Sequence, residues 1–366
     1  MKRLKVIRLV PQLDYGGVES RIALQASLIN PEKIDFRVCT FWRAGHSAEL
    51  VRQAGVSVDV LGEDPSVKNP RALAALYVYL KQQQADVLHA SIGEAVFHGS
   101  IAGAMAGTKL RVMEEVGIPS RGPMARSVFW GLSHLSHRFV GVSQTVCDYL
   151  VQQERIDPAK VQLIYNTTSP DFFEPVAQRD YDVDASRPFR FLSVGRLEPV
   201  KNQEVLIRAL ALLRERGEDA QVDFAGEGSM KEPLRQLARQ LGVEDRVNLL
   251  GFRDDTKALL AQADAYVLPS YTEGLSLAMV EAHTQAVPVM SSDGPALRET
   301  FGPLDQRYMI DAQDVQGWAR AMTHMIHASA SERRAHALKG QRYAQQRFSP
   351  QRYIQEISDL YQEAAL

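Results

Sequence analysis

The sequence contains few cysteines and no long apolar run. Its 366 residues include two cysteines, Cys39 and Cys147, too few for a disulfide scaffold or a zinc site built on cysteines. They predict a reducing compartment, with both thiols buried as small apolar side chains. No run of 18 apolar residues occurs, so we expect no membrane-spanning helix. The basic start is interrupted by Lys5 and Arg8, and is too short and charged for a secretory signal. We therefore expect a cytoplasmic protein.

Charge is nearly balanced along the whole chain, with a net charge of −2. Residues 1–165 carry 19 Lys and Arg against 15 Asp and Glu, and the remainder carries 23 against 29. The mildly basic first part suits an anionic partner such as a lipid headgroup or a phosphate, and ordinary scatter explains it equally well. No segment has the basic stripe of a nucleic-acid-binding protein, so no nucleic-acid partner is expected.

Two successive parts of the chain show the same alternation of short apolar strands and helices. Leu4 to Val10 and Phe189 to Val194 are their first predicted strands. Such alternation is typical of parallel sheets covered by helices on both faces. The predicted fold class is α/β, with two doubly wound Rossmann-like domains facing across a cleft. We assign the N-terminal domain to 1–167, a linker to 168–187 and the C-terminal domain to 188–349.

Of two patterns common in other nucleotide enzymes, one is absent and the other lies outside the expected position. Gly16 and Gly17 follow the first strand and open a helix, which predicts an anion site or, alternatively, only a tight turn. The G-x-G-x-x-G spacing of dinucleotide sites is absent, which disfavours a nicotinamide cofactor. Asp182-Val-Asp184 has the metal-binding D-x-D form, but it lies in the linker rather than after a core strand. We therefore expect neither a cofactor nor a metal.

The most informative stretch is Glu273-Gly-Leu-Ser-Leu-Ala-Met-Val-Glu281. A short apolar strand precedes it, a glycine allows a tight turn, and good helix formers follow. We expect the helix to begin near Leu275 or Ser276. The first turn of such a helix presents unpaired N–H groups and the positive end of the helix dipole. This stretch therefore predicts an anion site, most naturally for phosphate.

Four charged side chains lie on two turns of this strand-to-helix type. Glu273 is at the mouth of its helix, and Glu281 lies about 9 Å or less further along, at about 1.5 Å per residue. Two carboxylates at that separation suit the two polyol ends of one long ligand with a diphosphate between them. Arg196 and Lys201 flank the other turn and would neutralise the diphosphate, although surface ion pairs are the alternative.

At this point several segments resemble the retaining, GT-B-fold glycosyltransferases of family 4. In the C-terminal part these are Gly195-Arg-Leu-Glu-Pro-Val-Lys-Asn202, Gly226-Glu-Gly228, Leu250-Gly-Phe-Arg-Asp254 and the pair Glu273/Glu281. In the N-terminal part they are Val142-Ser143, Ile164-Tyr-Asn166 and the Gly16-Gly17 loop. The likeness covers nearly the whole chain, and the C-terminal set is specific as a constellation although each piece alone is weak.

The resemblance implies a role for each matching residue. Arg196 and Lys201 would hold the donor diphosphate, Glu273 the hydroxyls of the transferred sugar, and Glu281 the ribose hydroxyls. Glu273, Arg196 and Lys201 are thus the implied catalytic residues. The implied donor-binding residues are Gly16, Gly17, Gly195, Gly226, Glu227, Leu250, Phe252, Gly274, Leu275, Ser276, Leu277 and Glu281. Family members need no metal, and the nucleotide-sugar is a substrate rather than a cofactor.

The acceptor side departs from the family pattern. Many relatives carry a histidine in the segment after the fourth or fifth strand, where this chain offers Glu114 or Glu115. The usual Asn-Gly-Val-Asp after the last N-domain strand is replaced by Asn166-Thr-Thr-Ser169. The acceptor-side candidates are His89, Glu114, Glu115, Ser143 and Asn166. The acceptor and any acid/base residue are left open.

Two helices are expected to have further roles. Residues 350–366 resemble the family's last helix, which crosses back to the N-terminal domain. A predicted helix over Arg126–Arg138 mixes aromatic and basic side chains, and with Arg111 and Arg121 it would contact an anionic membrane surface on the cytoplasmic side. A core helix with a solvated face is the alternative.

The sequence therefore predicts a metal-independent, retaining glycosyltransferase that moves a sugar from a UDP- or GDP-sugar to a glycan or a polyprenyl-linked acceptor. By resemblance, the setting is bacterial surface polysaccharide biosynthesis. Two alternatives stay open: a sugar-nucleotide epimerase on the same fold, and a nucleotide-sugar-binding protein without catalysis.

Overall fold

The computed structural model describes residues 3–14, 17–119, 121–174, 179–184 and 186–365. Its strands are Leu4–Val10 (β1), Ile34–Thr40 (β2), Ser57–Val60 (β3), Val87–Ser91 (β4), Leu110–Glu115 (β5), Arg138–Gly141 (β6), Val161–Leu163 (β7), Phe189–Val194 (β8), Ala220–Ala225 (β9), Val247–Gly251 (β10), Ala265–Leu268 (β11), Val289–Ser292 (β12) and Met309–Ile310 (β13). Its α-helices are Gly17–Leu28 (α1), His46–Gln53 (α2), Pro70–Gln83 (α3), Gly93–Ala106 (α4), Pro123–Ser133 (α5), Gln144–Gln152 (α6), Gln203–Glu215 (α7), Lys231–Gln240 (α8), Thr256–Gln262 (α9), Leu277–Thr284 (α10), Pro295–Phe301 (α11), Val315–His327 (α12), Ala330–Arg347 (α13) and Pro350–Gln362 (α14).

The chain folds into two compact units. The first contains Met1–Thr167 and Pro350–Leu366, and the second contains Thr168–Ser349. The last helix, α14, therefore belongs to the first unit although it follows the second in sequence. Its residues Tyr353, Ile357 and Leu360 are buried in the first unit's core.

The first unit is built on a parallel sheet with the order β3-β2-β1-β4-β5-β6-β7 in the described residues. The apolar strands are buried because helices cover both faces, as β1 shows with Val6 and Val10 at 0% exposure. The strand order runs in opposite directions on the two sides of β1, so β1 and β4 border the topological switch point.

The second unit repeats this plan with the order β10-β9-β8-β11-β12-β13 among the residues described. Phe191, Phe224 and Val267 from neighbouring strands are fully buried in its core, together with Trp318 of α12. The switch point lies between β8 and β11. In sheets of this kind ligands bind beyond the carboxyl ends of the strands at that point.

Two sequence expectations concern burial and membrane spans. Cys39 and Cys147 are both buried and neither forms a disulfide, which confirms the prediction of two buried thiols. Among the helices in the described ranges, none has both the length and the apolar character that a membrane span requires.

The helix predicted over Arg126–Arg138 is wrong in its extent. The helix is α5, Pro123–Ser133, and Arg138 is the first residue of β6. Proline is well tolerated in the first turn, where its missing N–H is not needed, so the helix begins earlier than expected. Arg126, Phe129 and Trp130 therefore lie on α5, whereas the other basic residues of that stretch, His134, His137 and Arg138, lie beyond it.

Candidate functional site

The loop after β8 is anchored by one asparagine with a left-handed backbone. Asn202 has φ 53° and ψ 36° and immediately precedes α7. Its side-chain Nδ2 donates to the carbonyl oxygens of Pro269 at 3.1 Å and Ala312 at 2.7 Å. Because Pro269 follows β11 and Ala312 follows β13, this side chain ties together loops at the same edge of the sheet. The loop bearing Arg196 and Lys201 is therefore held in place at the switch point.

A lysine and a glutamate from these two loops form an ion pair. The Lys201 ammonium lies 2.6 Å from Oε1 of Glu273, and both side chains are mostly buried. The Ser270 hydroxyl donates to the same oxygen at 2.7 Å. Tyr271 N donates to Val200 O at 2.9 Å, which adds a backbone bond between the loops. The structure thus brings together two of the three predicted catalytic residues.

The third predicted catalytic residue, Arg196, lies on the same loop with an exposed side chain. Its backbone oxygen accepts a hydrogen bond from Gln203 Nε2 at 2.9 Å, so the first residue of α7 fixes its position. An exposed guanidinium on a fixed backbone is available for bidentate contact with phosphate.

The helix after Glu273 begins slightly later than the sequence predicted. It starts at Leu277, and Ser276 is its N-cap rather than part of the helix. The Ser276 side chain accepts from Met279 N, which satisfies one N–H of the first turn and selects the extended cap conformation. Leu275 and Gly274 belong to the turn before the cap. The helix N-terminus predicted for anion binding is present, one or two residues further along.

Glu281 lies on α10 in a desolvated environment. Burial raises the pKa of its carboxyl from 4.5 to about 7, and a hydrogen bond from Thr168 opposes that rise. The Thr168 hydroxyl donates to Glu281 Oε1 at 2.6 Å. Tyr266 of β11 is buried nearby, and burial together with the charges of Glu273 and Glu281 raises the pKa of its phenol well above the ordinary value. The two predicted ligand-binding carboxylates therefore differ in their partners. Glu273 is paired with the Lys201 ammonium, whereas Glu281 accepts a hydrogen bond from the Thr168 hydroxyl.

The glycines after β9 permit a very close approach of backbones. A Cβ at Gly226 would lie 2.0 Å from the carbonyl oxygen of Gly195, closer than any side chain could approach without moving the backbone. Gly226 N also donates to Gly251 O at 2.8 Å, so the turns after β8, β9 and β10 pack directly on one another. Next to them, Glu227 pairs with Lys231 at 2.8 Å and Phe252 is 71% exposed.

The predicted donor-binding residues of the second unit therefore lie at the carboxyl ends of four neighbouring parallel strands, β8 to β11, in the loops after them, and in the first two turns of α10. Parallel strands present their carboxyl ends at one edge, which is why these loops meet. They are Gly195, Gly226, Glu227, Leu250, Phe252, Gly274, Leu275, Ser276, Leu277 and Glu281. In the first unit, Gly17 is the first residue of α1, while Gly16 lies outside the described residues. Their part in donor binding stays a prediction.

In the first unit, Glu114 is the centre of a buried ionic cluster. Its carboxylate accepts hydrogen bonds from Arg8, Arg21 and Ser91, and all four side chains are almost entirely buried. Burial alone would raise the pKa of the Glu114 carboxyl, but Arg21 and Arg8 outweigh burial and hold it well below the usual range. Within this cluster, two arginine side chains share one carboxylate.

His89 completes the cluster through the last helix. Its Nδ1 lies 2.8 Å from the Tyr361 hydroxyl, which accepts a bond from Gln25 Nε2 at 2.8 Å. The other ring nitrogen, Nε2, lies 3.6 Å from Oε2 of Glu114. Burial and the nearby Arg8 lower the pKa of His89 well below its ordinary value, so the ring is neutral.

These contacts bury part of the predicted acceptor side, whose role in acceptor binding stays a prediction. The side chains of His89 and Glu114 are at most 2% exposed, so in this structure neither meets an acceptor directly. The Ser143 hydroxyl caps α6 by accepting from Val146 N. Glu115 bonds to Arg121 at 2.6 Å, and Asn166 accepts from Arg21 at 2.6 Å. Packing against α1 and α14, which the sequence does not encode locally, is the reason for the burial.

Two of the cations predicted to face a membrane are engaged within the first unit. Arg121 bridges Glu115 and Glu154, and its guanidinium lies 4.1 Å from the centre of the Phe129 ring. Arg111 donates to the carbonyl oxygens of Leu135 and Thr108. Both guanidinium groups therefore have partners within this unit, and their contact with lipid stays a prediction.

Sequence reasoning missed Arg8, Arg21, Ser270 and Thr168. Arg8 did carry a signal, since it is a charge inside an otherwise apolar strand, and a charged residue is almost never fully buried without a partner. The other three carry no comparable pattern, because their roles depend on partners far away in the sequence.

The second unit has another concavity, of about 460 Å³, away from this site. Residues of α12 and α13 and of the segment before β13 line it, among them Arg307, His324, His336 and Lys339. Arg307 bonds to His324 and to Asp305, so part of the charge is already paired. None of the predicted donor-binding residues lines it. Within the described ranges, no group of three or more His, Cys, Asp or Glu is placed to hold a metal ion.

Comparison with known families matches both halves of the chain. Residues 179–342 match the family model for glycosyl transferases group 1, and residues 15–172 match the model for glycosyltransferase family 4. The second model starts at the glycine loop before α1, and the first contains Arg196, Lys201, Glu273 and Glu281.

Two curated relatives cover parts of the chain. The D-inositol 3-phosphate glycosyltransferase of Salinispora tropica is 30% identical over 248 residues, covering 62% of this chain and 51% of the relative. The N-acetylgalactosamine-N,N'-diacetylbacillosaminyl-diphospho-undecaprenol 4-alpha-N-acetylgalactosaminyltransferase of Campylobacter jejuni is 29% identical over 178 residues, covering 48% and 47%. The chain spans about half the length of these curated relatives.

A solved structure matches over the full length. HepE of Anabaena in complex with UDP superposes with a TM-score of 0.81 at 21% identity, covering 99% of this chain and all of that one. At this identity the likeness concerns the fold, which is GT-B, and the family follows from the two matching models. The chain therefore belongs to the group 1 and family 4 glycosyltransferases of GT-B fold.

Proposed function

We propose that this protein transfers a sugar from a nucleotide-sugar donor, a UDP- or GDP-sugar, to a glycan or a polyprenyl-linked acceptor, with retention and without a metal. The observation that carries the proposal is the pairing of Lys201 with Glu273 at the switch point of the second unit. At that edge, beside the N-terminus of α10, the cation can bind a diphosphate while the carboxylate accepts hydrogen bonds from the hydroxyls of a polyol.

The donor would be bound along one edge of the sheet. Arg196 and Lys201 neutralise the diphosphate, and the N–H groups at the start of α10 add hydrogen bonds to it. Glu273 accepts hydroxyls of the sugar, and Glu281 accepts those of the ribose. Phe252, whose ring is mostly exposed, and the turn containing Gly226 and Glu227 border the base.

The transfer step needs charge stabilisation more than a protein nucleophile. The bond between C1 of the sugar and the phosphate oxygen breaks, and the acceptor oxygen bonds to C1 on the same face. The acceptor proton passes to the departing phosphate. Negative charge grows on the diphosphate as this happens, so Arg196 and Lys201 stabilise the transition state more than the bound donor.

The relatives support both substrates of this proposal. The Campylobacter jejuni relative is named for a diphospho-undecaprenol acceptor, and HepE binds UDP. We propose a lipid-linked or glycan acceptor and a uridine nucleotide as first choices for this chain, in the assembly of a bacterial surface polysaccharide.

We also propose that α5 contacts the cytoplasmic face of the membrane from which such an acceptor is presented. Met124 is 83% exposed, Val128 45% and Trp130 49%, on a helix that also exposes Arg126. Apolar and aromatic side chains beside a cation suit the boundary between acyl chains and anionic headgroups. The contact thus involves Arg126 and the apolar side chains.

The test is calorimetric binding of UDP-, GDP- and ADP-sugars, without metal, to the wild type and to Glu273→Ala. Selective binding of one donor, weakened in the variant, supports the proposal. Turnover distinguishes the alternatives, because an epimerase converts the donor without an acceptor and an inactive binding protein converts nothing. If no nucleotide-sugar binds, the proposal is wrong.

A further inference from the structure

A threonine at the start of the second unit contacts the predicted ribose carboxylate. The Thr168 hydroxyl donates to Glu281 Oε1 at 2.6 Å, and Thr168 is 6% exposed. The two residues are 113 positions apart in sequence.

Among the described residues, the Thr168 hydroxyl is the main polar group that stabilises the Glu281 carboxylate. Burial disfavours its charged form, and among the described groups the bond from Thr168 is what opposes that effect. Lys201, the cation on the neighbouring loop, is paired with Glu273. Tyr266 is a further titratable group that interacts with both carboxylates, and its phenol stays neutral because its pKa is raised well above 10. A neutral phenol supplies no charge to replace the missing cation.

We propose that Thr168 is a positioning residue for the nucleotide ribose, because its hydroxyl holds the Glu281 carboxylate in one orientation and favours its ionised form. This inference rests on the proposed function, since it takes Glu281 to be the ribose acceptor. Ribose binding breaks no covalent bond. A protonated Glu281 gives its proton to solvent, and the two ribose hydroxyls then donate to the carboxylate.

Two consequences follow for nucleotide binding. The affinity falls as the pH drops below about 7, because the protonated carboxyl must first lose its proton. Without the Thr168 hydroxyl, no hydrogen bond offsets the rise in the Glu281 pKa that burial causes. The pH at which the affinity is half-maximal therefore rises. A hydrogen bond to a charged group corresponds to a shift of about one pH unit.

The experiment measures UDP and GDP binding to the full chain by calorimetry between pH 5.5 and 8.5, in buffers of different ionisation enthalpy. We expect Thr168→Val to bind about fivefold more weakly at pH 7, with its midpoint raised by about one unit and more protons released on binding. Thr168→Ser, which keeps the hydroxyl, should stay within about twofold of wild type.

The matched control is Thr284→Val. The Thr284 hydroxyl also bonds to Glu281, but it donates to the backbone oxygen, at 2.8 Å. This variant should leave the pH midpoint unchanged. An unchanged midpoint in Thr168→Val, or an equal shift in both valine variants, would overturn the inference.

A second readout needs no nucleotide. The melting temperature changes with pH as Glu281 ionises. In Thr168→Val, we expect the pH at which this change occurs to rise by the same amount of about one unit. A wild type that binds neither UDP nor GDP at any pH contradicts the proposed function, whereas a binding wild type with an unaffected Thr168→Val contradicts this inference alone.

Discussion

Lys201 and Glu273 meet across 72 residues of sequence, with 2.6 Å between the ammonium nitrogen and Oε1. Ser270 donates to the same oxygen, so the carboxylate is oriented before any ligand arrives. An ammonium has three donors and can therefore keep Glu273 while bonding to a phosphate oxygen. The pair thus fixes the separation between the cation proposed to bind the diphosphate and the carboxylate proposed to bind the sugar hydroxyls.

Lys201→Ala should reduce transfer by about 100-fold or more, because a fixed cation at the departing diphosphate is lost. The fold should survive, since the side chain lies at the edge of the sheet. The measurement is the rate of donor consumption with acceptor present, alongside circular dichroism. Lys257→Ala, which removes a lysine paired with Glu174 at 3.5 Å on the surface, is the control and should retain full activity. Normal turnover by Lys201→Ala would remove Lys201 from the proposed site.

Glu281→Gln should stabilise the protein above pH 7. A carboxyl whose pKa is raised from 4.5 to about 7 by burial contributes stability below pH 4.5, and this contribution is lost as the pH rises through 7. The loss approaches about 3 kcal/mol, and glutamine does not titrate. We expect the melting temperature of the variant to exceed that of wild type at pH 8 and to match it near pH 4.5. A constant difference across this range would show that Glu281 does not titrate as proposed.

Glu114→Gln should destabilise the first unit by about 3–5 kcal/mol, because it leaves Arg8 and Arg21 buried without their anion. Urea unfolding followed by fluorescence measures the loss. The control is Glu363→Gln, which breaks a pair with Arg138 whose side chains are about one-third exposed and should cost at most about 1 kcal/mol. Equal effects of the two variants would argue against a structural role for the buried cluster.

Replacing Met124 and Trp130 together with serine should weaken binding to vesicles of phosphatidylglycerol and phosphatidylcholine several-fold, because about half or more of each side chain is exposed on α5. Vesicle sedimentation measures the bound fraction. Leu241→Ser, at a 37% exposed position of the second unit, serves as control and should bind like wild type. Undiminished sedimentation of the double variant would exclude α5 as the contact.

The sequence by itself determined the class of fold and the family. Alternating strands and helices are local patterns, so the α/β class and strands such as Phe189–Val194 and Ala265–Leu268 could be predicted with their observed bounds. Lys201 and Glu273 were identifiable because both follow predicted strands of one parallel sheet, and such strands end at a common edge.

Only the tertiary structure decided how the charges are paired. Whether Glu114 would face solvent or sit between Arg8 and Arg21 depends on the packing of α1 and α14 over the sheet, which no local pattern specifies. The partner of Glu281 likewise depended on the path of the chain at Thr168. Hydrogen bonds act over about 3 Å, while Lys201 and Glu273 are 72 positions apart and Thr168 and Glu281 are 113 apart. Strand order and side-chain orientation therefore had to be known first.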